Sequence, residues 1–545
     1  MKTFRPALIS SLKGYNAKKL TNDVISGVIV AIIALPLSIA LALASGVGPE
    51  QGLYTAIFAG FVIAALGGST VQVSGPTAAF ATIVAGIVAT NGIGGLALAT
   101  IMAGVILLLM GVLRLGRLIK FIPATITTGF TAGIAVTIVV GQLKDFLGLT
   151  YPAGLTAIET GEKLEAVLSH ISTINGWAVA VGLAGLAVLI VWPRLKVVSR
   201  VPGSLVAVLL GIAAVSLFDL PVNTIGDLYD VSSALPAPRL PSFDLESVRR
   251  LLPDAFTIAL LAAIESLLSC VVADGMVNTK HNPNTELIAQ GVGNISSAVF
   301  GGIPATGAIA RTAANVKSGG RTPISAIVHA VVLLLILVLL MPFAALIPMP
   351  IIAAILFHVA YNMCGWRTFV RLCRTAPLAD VLVLVVTFLL TVIFDLVVAI
   401  AAGLVLACVL FMKSMSESTE LAAWEKREEG ADALPVPDGV AVFEVSGPLF
   451  FGAADRIAAV CADDSIRCMV LRMRGVHVID ATAMDALITF VDRCDKKGVR
   501  VILSHVNERP RRLLEKSGLA ARLGEDAFAP DIREALSRAA KIANN

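Results

Sequence analysis

Over roughly the first 410 residues, hydrophobic positions form long unbroken runs separated by short polar or basic segments, unlike the one-sided stripes of a soluble helix. The first half carries runs at residues 24–44, 52–66, 95–113, 119–142, 177–192 and 204–218. The second carries runs at 255–273, 323–341, 351–363, 379–394 and 396–412, together with a segment at 286–300 that is unusually polar, with Gln290 and Asn294. A run such as 324–340 is of membrane-spanning length.

Two stretches break this pattern in the same way. One reads Gly67-Gly68-Ser69-Thr70-Val71-Gln72-Val73-Ser74-Gly75-Pro76-Thr77, and the other runs from Gly301-Gly302 through Thr306-Gly307-Ala308-Ile309-Ala310-Arg311 to Lys317. Each has a glycine pair, a few extended residues, a Ser/Thr-Gly step and then a small-residue helix. The β-branched residues 71–74 predict a short strand at membrane depth. Pro76 suits the first turn of a helix, and the second helix is expected to begin near Thr306 or Gly307. Interrupted segments at corresponding places in two halves are the sequence mark of a transporter site. With them counted, the expected fold is an α-helical polytopic membrane protein of fourteen spans. Seven are followed by seven of opposite insertion direction, an inverted repeat.

Beyond Lys413 the pattern changes. Residues 414–437 are charged and contain proline, as in a linker. Then strands are expected at 440–445, 468–473 and 499–504, with a helix at 481–497 and amphipathic helices after it. Residues 438–545 thus read as a small α/β domain, and residues 21–413 as the membrane domain.

Composition agrees with this division, since 57% of the 545 residues are hydrophobic and the mean hydropathy is +0.87. The net charge of +4 matters through its placement. Basic groups at Lys2, Arg5, Lys13, Lys18 and Lys19, at Arg114, Arg117 and Lys120, at Arg194, Lys196 and Arg200, and at Arg367, Arg371, Arg374 and Lys413 mark inside ends. They place the N-terminal segment 1–20 and the tail in the cytosol of a cell whose inner, cytoplasmic membrane holds the chain. Residues 15–27 are expected at the membrane surface. No short apolar core with a small-residue cleavage site precedes them. The charge is read as topology, with no nucleic-acid partner.

The cysteines Cys270, Cys364, Cys373, Cys408, Cys461, Cys468 and Cys494 have no paired metal spacing, and neither a zinc site nor a disulfide framework is indicated. No nucleophile, metal cluster or phosphate loop supports an enzyme, and no cofactor is expected.

Chemistry concentrates at the two interrupted stretches. Two helices starting opposite one another aim free N–H groups and positive dipole ends at the gap between them, which suits an anion. Ser74, Thr77, Thr306 and Thr312 offer hydroxyls. Arg311 offers a full charge whose planar fork fits carboxylate, sulfate or bicarbonate. A structural ion pair with Glu265 is the competing role for this arginine. Glu265 and Ser269 share a helical face at i,i+4, and the carboxyl is a proton acceptor, a Na⁺ ligand with Ser269, or a counter-ion to Arg311. His329 and His358 read as packed imidazoles in apolar spans. Pro36 and Ser38 interrupt the first run near its centre, as helices lining protein or water tolerate.

The segments Asp23-Val24-Ile25-Ser26-Gly27 through Ala34-Leu35-Pro36-Leu37, Gly48-Pro49-Glu50-Gln51-Gly52-Leu53-Tyr54, Val73-Ser74-Gly75-Pro76-Thr77 and Pro304-Ala305-Thr306-Gly307-Ala308-Ile309-Ala310-Arg311-Thr312 resemble the SulP anion permeases, or solute carrier family 26. The resemblance covers nearly the whole chain. It implies core and gate domains, as in the related seven-plus-seven nucleobase carriers, with substrate between the third and tenth spans. It also implies elevator-like alternating access, homodimers and a cytosolic STAS domain. Its substrate-facing positions fall on Pro36, Ser38, Ser74, Gly75, Pro76, Thr77, Ala78, Ala308, Ile309, Ala310 and Arg311, with Glu265 and Ser269 at the coupling-ion position. Ala310 stands where some relatives have serine, which leaves the backbone N–H as donor. The run Ala-Ile-Ala-Arg-Thr is similar to members that move C4-dicarboxylates such as fumarate and succinate, and sulfate and bicarbonate carriers share much of it. In the tail, Asp480-Ala481-Thr482-Ala483 resembles the STAS helix-start turn, with Thr482 at the position phosphorylated in soluble relatives. A capping turn is the plain alternative, and a cytosolic partner for this domain is implied.

The expected function is therefore secondary transport of a small anion, coupled to H⁺. Na⁺ coupling and exchange are alternatives, as is a passive channel on the same fold. A nucleobase carrier would place carboxylates toward its base, where this chain has Arg311. A STAS-centred signalling role is the remaining reading.

Overall fold

The computed structural model describes residues 4–117, 123–152, 157, 159–195, 201–394, 396–423, 435–450, 452, 456–457 and 465–544. Lys2, Lys120, Lys196, Arg200, Cys461 and much of the expected linker lie outside these residues. The chain forms two compact units, 1–404 and 405–545.

In the first unit the apolar runs become α1 (Ala17–Ala44), α2 (Pro49–Leu66), α3 (Ala81–Val112), α4 (Ala124–Leu147), α5 (Gly176–Val191) and α6 (Gly203–Phe218). After a polar loop come α7 (Leu245–Val277), α8 (Pro283–Val299), α9 (Ile309–Lys317), α10 (Pro323–Ala344), α11 (Met349–Cys364), α12 (Trp366–Thr375), α13 (Leu378–Ile393) and α14 (Leu396–Glu417), the last beginning in the first unit and ending in the second. Nine helical stretches among the described residues, with α11 and α12 taken together as one, are long and apolar enough to cross a membrane, and α6 and α13 are shorter apolar helices. Helix α3 is bent at Gly92, whose φ of 66° and ψ of −175° lie outside any helix. A side chain at that φ would be strained, and glycine adopts it freely. Pro36 does not end α1, which runs on through it and leaves the Ile32 carbonyl without its usual N–H donor.

The two interrupted stretches meet. Ser74–Gly75 (β1) pairs antiparallel with Thr306–Gly307 (β2), Ser74 opposite Gly307 and Gly75 opposite Thr306. The expected strand at 71–74 is thus displaced to 74–75. The reason lies in who satisfies the backbone: Asn315 Nδ2 donates to the Val71 carbonyl at 2.8 Å, and Val73 N–H donates to Thr312 Oγ1 at 3.1 Å. The helix expected from Thr306 or Gly307 begins at Ile309, because those residues are held in β2. Pro76 is likewise in extended chain, and the helical turn begins at Ala78.

Non-helical backbone at membrane depth needs protein partners, and one face of α8 supplies them. Glu286, Gln290, Asn294 and Ser297 recur at the spacing of a single helical face. Glu286 accepts from Gly68 N–H at 2.9 Å and Ser69 N–H at 3.3 Å, and from Gln72 Nε2 at 2.7 Å. Asn294 takes both polar groups of Ala305, each at 2.9 Å. Ser297 donates to the Ile303 carbonyl at 2.6 Å. Asn294→Ala is expected to leave a buried N–H and C=O unpaired, at about 1–3 kcal/mol each. Thermal unfolding in detergent should show a clear drop in midpoint, and an unchanged midpoint would mean that water replaces the amide.

In the second unit a five-stranded sheet has the order β3 (Glu420–Ala423), β4 (Val440–Ser446), β5 (Cys468–Gly475), β6 (Arg500–Ser504), β7 (Phe528–Ala529). The first pair is antiparallel and the others parallel. Strand β3 lies inside the stretch expected as linker. Helix α15 (Ala481–Lys496) covers one face, with Leu487, Phe490 and Val491 in its core. Helix α17 (Ile532–Ala543), the next helix labelled after α16 (Glu508–Lys516), contributes Ile532, Ala535, Leu536 and Ala539 to the core of the other. Burial pushes the Cys468 and Cys494 thiols up to about 11, so both stay protonated and pack as small apolar groups.

Candidate functional site

The site is built where β1 and β2 hand over to helices. After β1, Thr77 is the extended residue before a 3₁₀ turn, Ala78–Phe80, that leads into α3. After β2, Ala308 precedes α9. Neither start has a side-chain cap. In α9 the first intrahelical bond is from Thr312 N–H to the Ala308 carbonyl, 2.9 Å. The N–H groups of Ile309, Ala310 and Arg311 come before it and have no protein acceptor among the described residues. Such a start carries about half a unit of positive charge. Ala308 is buried, Ile309 half-buried and Ala310 exposed, so the start of α9 opens to solvent along one side.

Arg311 is 1% exposed, the largest fully buried side chain among the described residues. Its Nη2 donates to the Pro76 carbonyl at 3.0 Å and to Ser38 Oγ at 3.3 Å. Its Nε and Nη1 have no hydrogen-bond partner among the described residues. The guanidinium therefore ties α9 to both the first span and the opposite strap, with two donors to spare. Gly75 makes this possible, since a Cβ there would sit 2.4 Å from Nη1. Pro36, two residues before Ser38 on α1, is buried and makes no hydrogen bond of its own to the arginine.

Glu265 on α7 is half-buried, and its Oε2 accepts from Thr77 Oγ1 at 2.9 Å. No ion pair within 4.0 Å joins it to Arg311, so the close structural salt bridge considered from sequence does not form. Ser269 is fully buried and donates to Thr312 Oγ1 at 3.4 Å. The i,i+4 pair thus does not converge on one point: Glu265 reaches the first strap and Ser269 reaches α9.

Most of the hydroxyls proposed as donors are already engaged in holding backbone. Thr306 Oγ1 lies 2.7 Å from Ser266 Oγ and donates to the Ala262 carbonyl at 3.1 Å. Ser74 Oγ accepts from Gln290 Nε2 at 3.3 Å. Sequence reasoning missed Gln72, Ser266, Glu286 and Asn315 as supports of the site. Polar residues at helical spacing in α8 were the available signal, and a lone Asn315 or Ser266 offered none. His329 is fully buried with neither ring nitrogen bonded. In the tail, Asp480 Oδ1 accepts from Ala483 N–H at 2.8 Å and caps α15, while Thr482 is exposed. Ala483 has an ordinary helical backbone and is fully buried, so that position requires no glycine.

Chemically, the arrangement presents uncapped N–H groups, a cation with free donors and a partly accessible carboxyl. An oxyanion finds donors there, and the carboxyl can exchange a proton or bind a small cation beside it.

A model of the sulfate permease family matches residues 20–387, and one of the STAS domain matches residues 433–535. YvdB of Bacillus subtilis (strain 168), a protein named for sulfate transport, is 39% identical over 531 residues, covering 95% of this chain and 97% of its own. The bicarbonate transporter BicA of Picosynechococcus sp. (strain ATCC 27264 / PCC 7002 / PR-6) is 33% identical over 549 residues, 96% of this chain and 95% of its own. The fold matches that of the murine solute carrier 26 family member A9 anion transporter, with a TM-score of 0.88 over 98% of this chain and 93% of that one at 17% identity. The chain belongs to the sulfate permease family of membrane transporters and carries a C-terminal STAS domain.

Proposed function

We propose that the protein is a secondary active transporter of small oxyanions, which bind between the starts of α3 and α9 beside Arg311. The observation that carries this is a buried arginine with two unpartnered donors in the first turn of an uncapped helix at membrane depth. The contact positions are those named from sequence, with Pro36, Ser38, Ser74, Gly75, Pro76, Thr77 and Ala78 shaping one side and Ala308, Ile309 and Ala310 the other. Sulfate and bicarbonate rank ahead of C4-dicarboxylates because both full-length relatives above are named for inorganic oxyanions. Glu265 is the coupling group, taking up H⁺ in preference to Na⁺.

Fourteen crossing segments in a seven-plus-seven inverted repeat follow when the two parts of α3 either side of Gly92 are counted separately and α12 is left out. The helices that carry the two paired stretches, one from each half, would move as a core past a gate, elevator fashion, in a homodimer in the cytoplasmic membrane. The segment 1–20 and the STAS domain from 438 would lie in the cytosol, after a transport domain at 21–413 and a linker at 414–437. Thr482 is exposed and available to a regulatory kinase or partner.

Uptake into proteoliposomes of sulfate, bicarbonate, fumarate, succinate and chloride, under imposed H⁺ or Na⁺ gradients, tests this. Accumulation of sulfate or bicarbonate driven by an inward H⁺ gradient is expected. Flux that follows only the anion's own gradient and the membrane potential would make the protein a channel.

A further inference from the structure

Helix α12 stands apart from the other helices of the membrane unit. Gly365, at φ 57°, ends α11 and starts α12 in one left-handed step, so the chain turns sharply there. No residue of α12 is buried. Its sequence, Trp-Arg-Thr-Phe-Val-Arg-Leu-Cys-Arg-Thr, is strongly two-sided. Trp366, Phe369, Val370 and Cys373 fall at i, i+3, i+4 and i+7, one apolar face. Arg367, Arg371 and Arg374 fall within about 60° of arc along one border of that face. Phe369 rests edge-on against Phe388 of α13, ring centroids 5.4 Å apart, which fixes the helix to the membrane unit.

None of the three guanidinium groups has a carboxylate or other acceptor among the described residues, and all three are exposed. Together with Trp366, Val370 and Thr375 they line an open groove of about 460 Å³. Trp366 is 57% exposed, and Tyr361 and Leu378 beyond the two ends of the helix are 67% and 80% exposed. Surface apolar side chains bordered by unpaired arginines, on a short helix between two membrane spans, match an interfacial helix whose apolar face sits at the acyl boundary. Its arginines then lie at headgroup level, where each meets a phosphate bidentately.

We propose that α12 is a docking surface for anionic phospholipids, with Arg367, Arg371 and Arg374 gripping the headgroup phosphates and Trp366 anchoring in the interface. The groove takes the diester phosphate of a lipid whose acyl chains continue along the apolar face. It is separate from the oxyanion gap, and its failure leaves the transport reading untouched.

Native mass spectrometry of the full-length protein, with phosphatidylglycerol or phosphatidylcholine added, reads the proposal directly. Phosphatidylglycerol adducts are expected on the wild type, to weaken on the order of a hundredfold when all three arginines become glutamine, and to persist when all three become lysine. Phosphatidylcholine adducts should be fewer and indifferent to the substitutions. Equal phosphatidylglycerol binding by wild type and the glutamine variant would overturn the proposal. Displacement of the lipid by millimolar inorganic phosphate would also overturn it, by marking a site for free anions. Matched melting curves of the lysine and glutamine variants keep a folding defect from being read as lost binding.

Discussion

Arg311→Ala is expected to reduce anion binding by roughly one to two orders of magnitude, the equivalent of about 1.5–3 kcal/mol of charge-assisted hydrogen bonding. Transport at low substrate should fall in proportion. Two consequences of the geometry combine. The variant loses the only full positive charge that the first turn of α9 carries, and it loses the Nη2 bonds to the Pro76 carbonyl and Ser38 that hold the straps together. Arg311→Lys separates them, because it keeps the charge and loses the fork. It is expected to bind more weakly than wild type and more tightly than alanine. Arg250→Ala, at an exposed arginine in the first turns of α7, is the control and should bind as wild type does. Isothermal titration of sulfate into the purified proteins measures all four. Equal, small effects of Arg311→Ala and Arg250→Ala would remove Arg311 from the site.

Glu265→Gln is expected to abolish the dependence of uptake on the pH gradient while leaving substrate binding close to wild type. Glutamine is nearly isosteric and its amide oxygen still accepts from Thr77 Oγ1, now 2.9 Å from the carboxyl. What disappears is the exchangeable proton. Because no ion pair within 4.0 Å joins Glu265 to Arg311, the exchange breaks no hydrogen-bonded salt bridge to the arginine. In the coupled reading, protonation in the more acidic compartment accompanies anion binding and is released on the other side. Uptake in proteoliposomes with an imposed pH difference, then with the difference collapsed by an ionophore, reads this. A variant whose uptake still rises with the gradient would make Glu265 a structural acceptor for Thr77.

The paired straps were legible in sequence because their cause is local. Gly67-Gly68 with Ser74-Gly75, and Gly301-Gly302 with Thr306-Gly307, carry the glycines that close backbone approach demands. At Gly68, for example, a Cβ would lie 2.2 Å from the Asn282 carbonyl. Tail strands at 440–446, 468–475 and 500–504 were equally plain, since each is a short apolar, β-branched run set apart from the helices around it. The boundaries of the straps were not legible. Whether Val71–Val73 form a strand depends on Asn315 and Thr312, over two hundred residues away, whose side chains take up the backbone groups a strand would have used. Separation along the chain also hid the engagement of Thr306 by Ser266, 40 residues away, and of Ser74 by Gln290, 216 residues away. Nothing in the local sequence separates a hydroxyl facing a ligand from one holding a neighbour. The absence of a close Arg311 to Glu265 salt bridge is a matter of side-chain direction on two different helices, which spacing along one chain does not encode.

The central claim, that the oxyanion lies between the helix starts at Ala78 and Ile309 beside Arg311, is tested most directly by locating a heavy-atom analogue. Crystals of the full-length protein grown with selenate, measured at the selenium edge, give its position without reference to activity. One anomalous peak within hydrogen-bonding reach of the Arg311 guanidinium and the first N–H groups of α9 is the expected result. A peak elsewhere in the membrane unit, with the gap beside Arg311 empty at saturating selenate, would contradict the account.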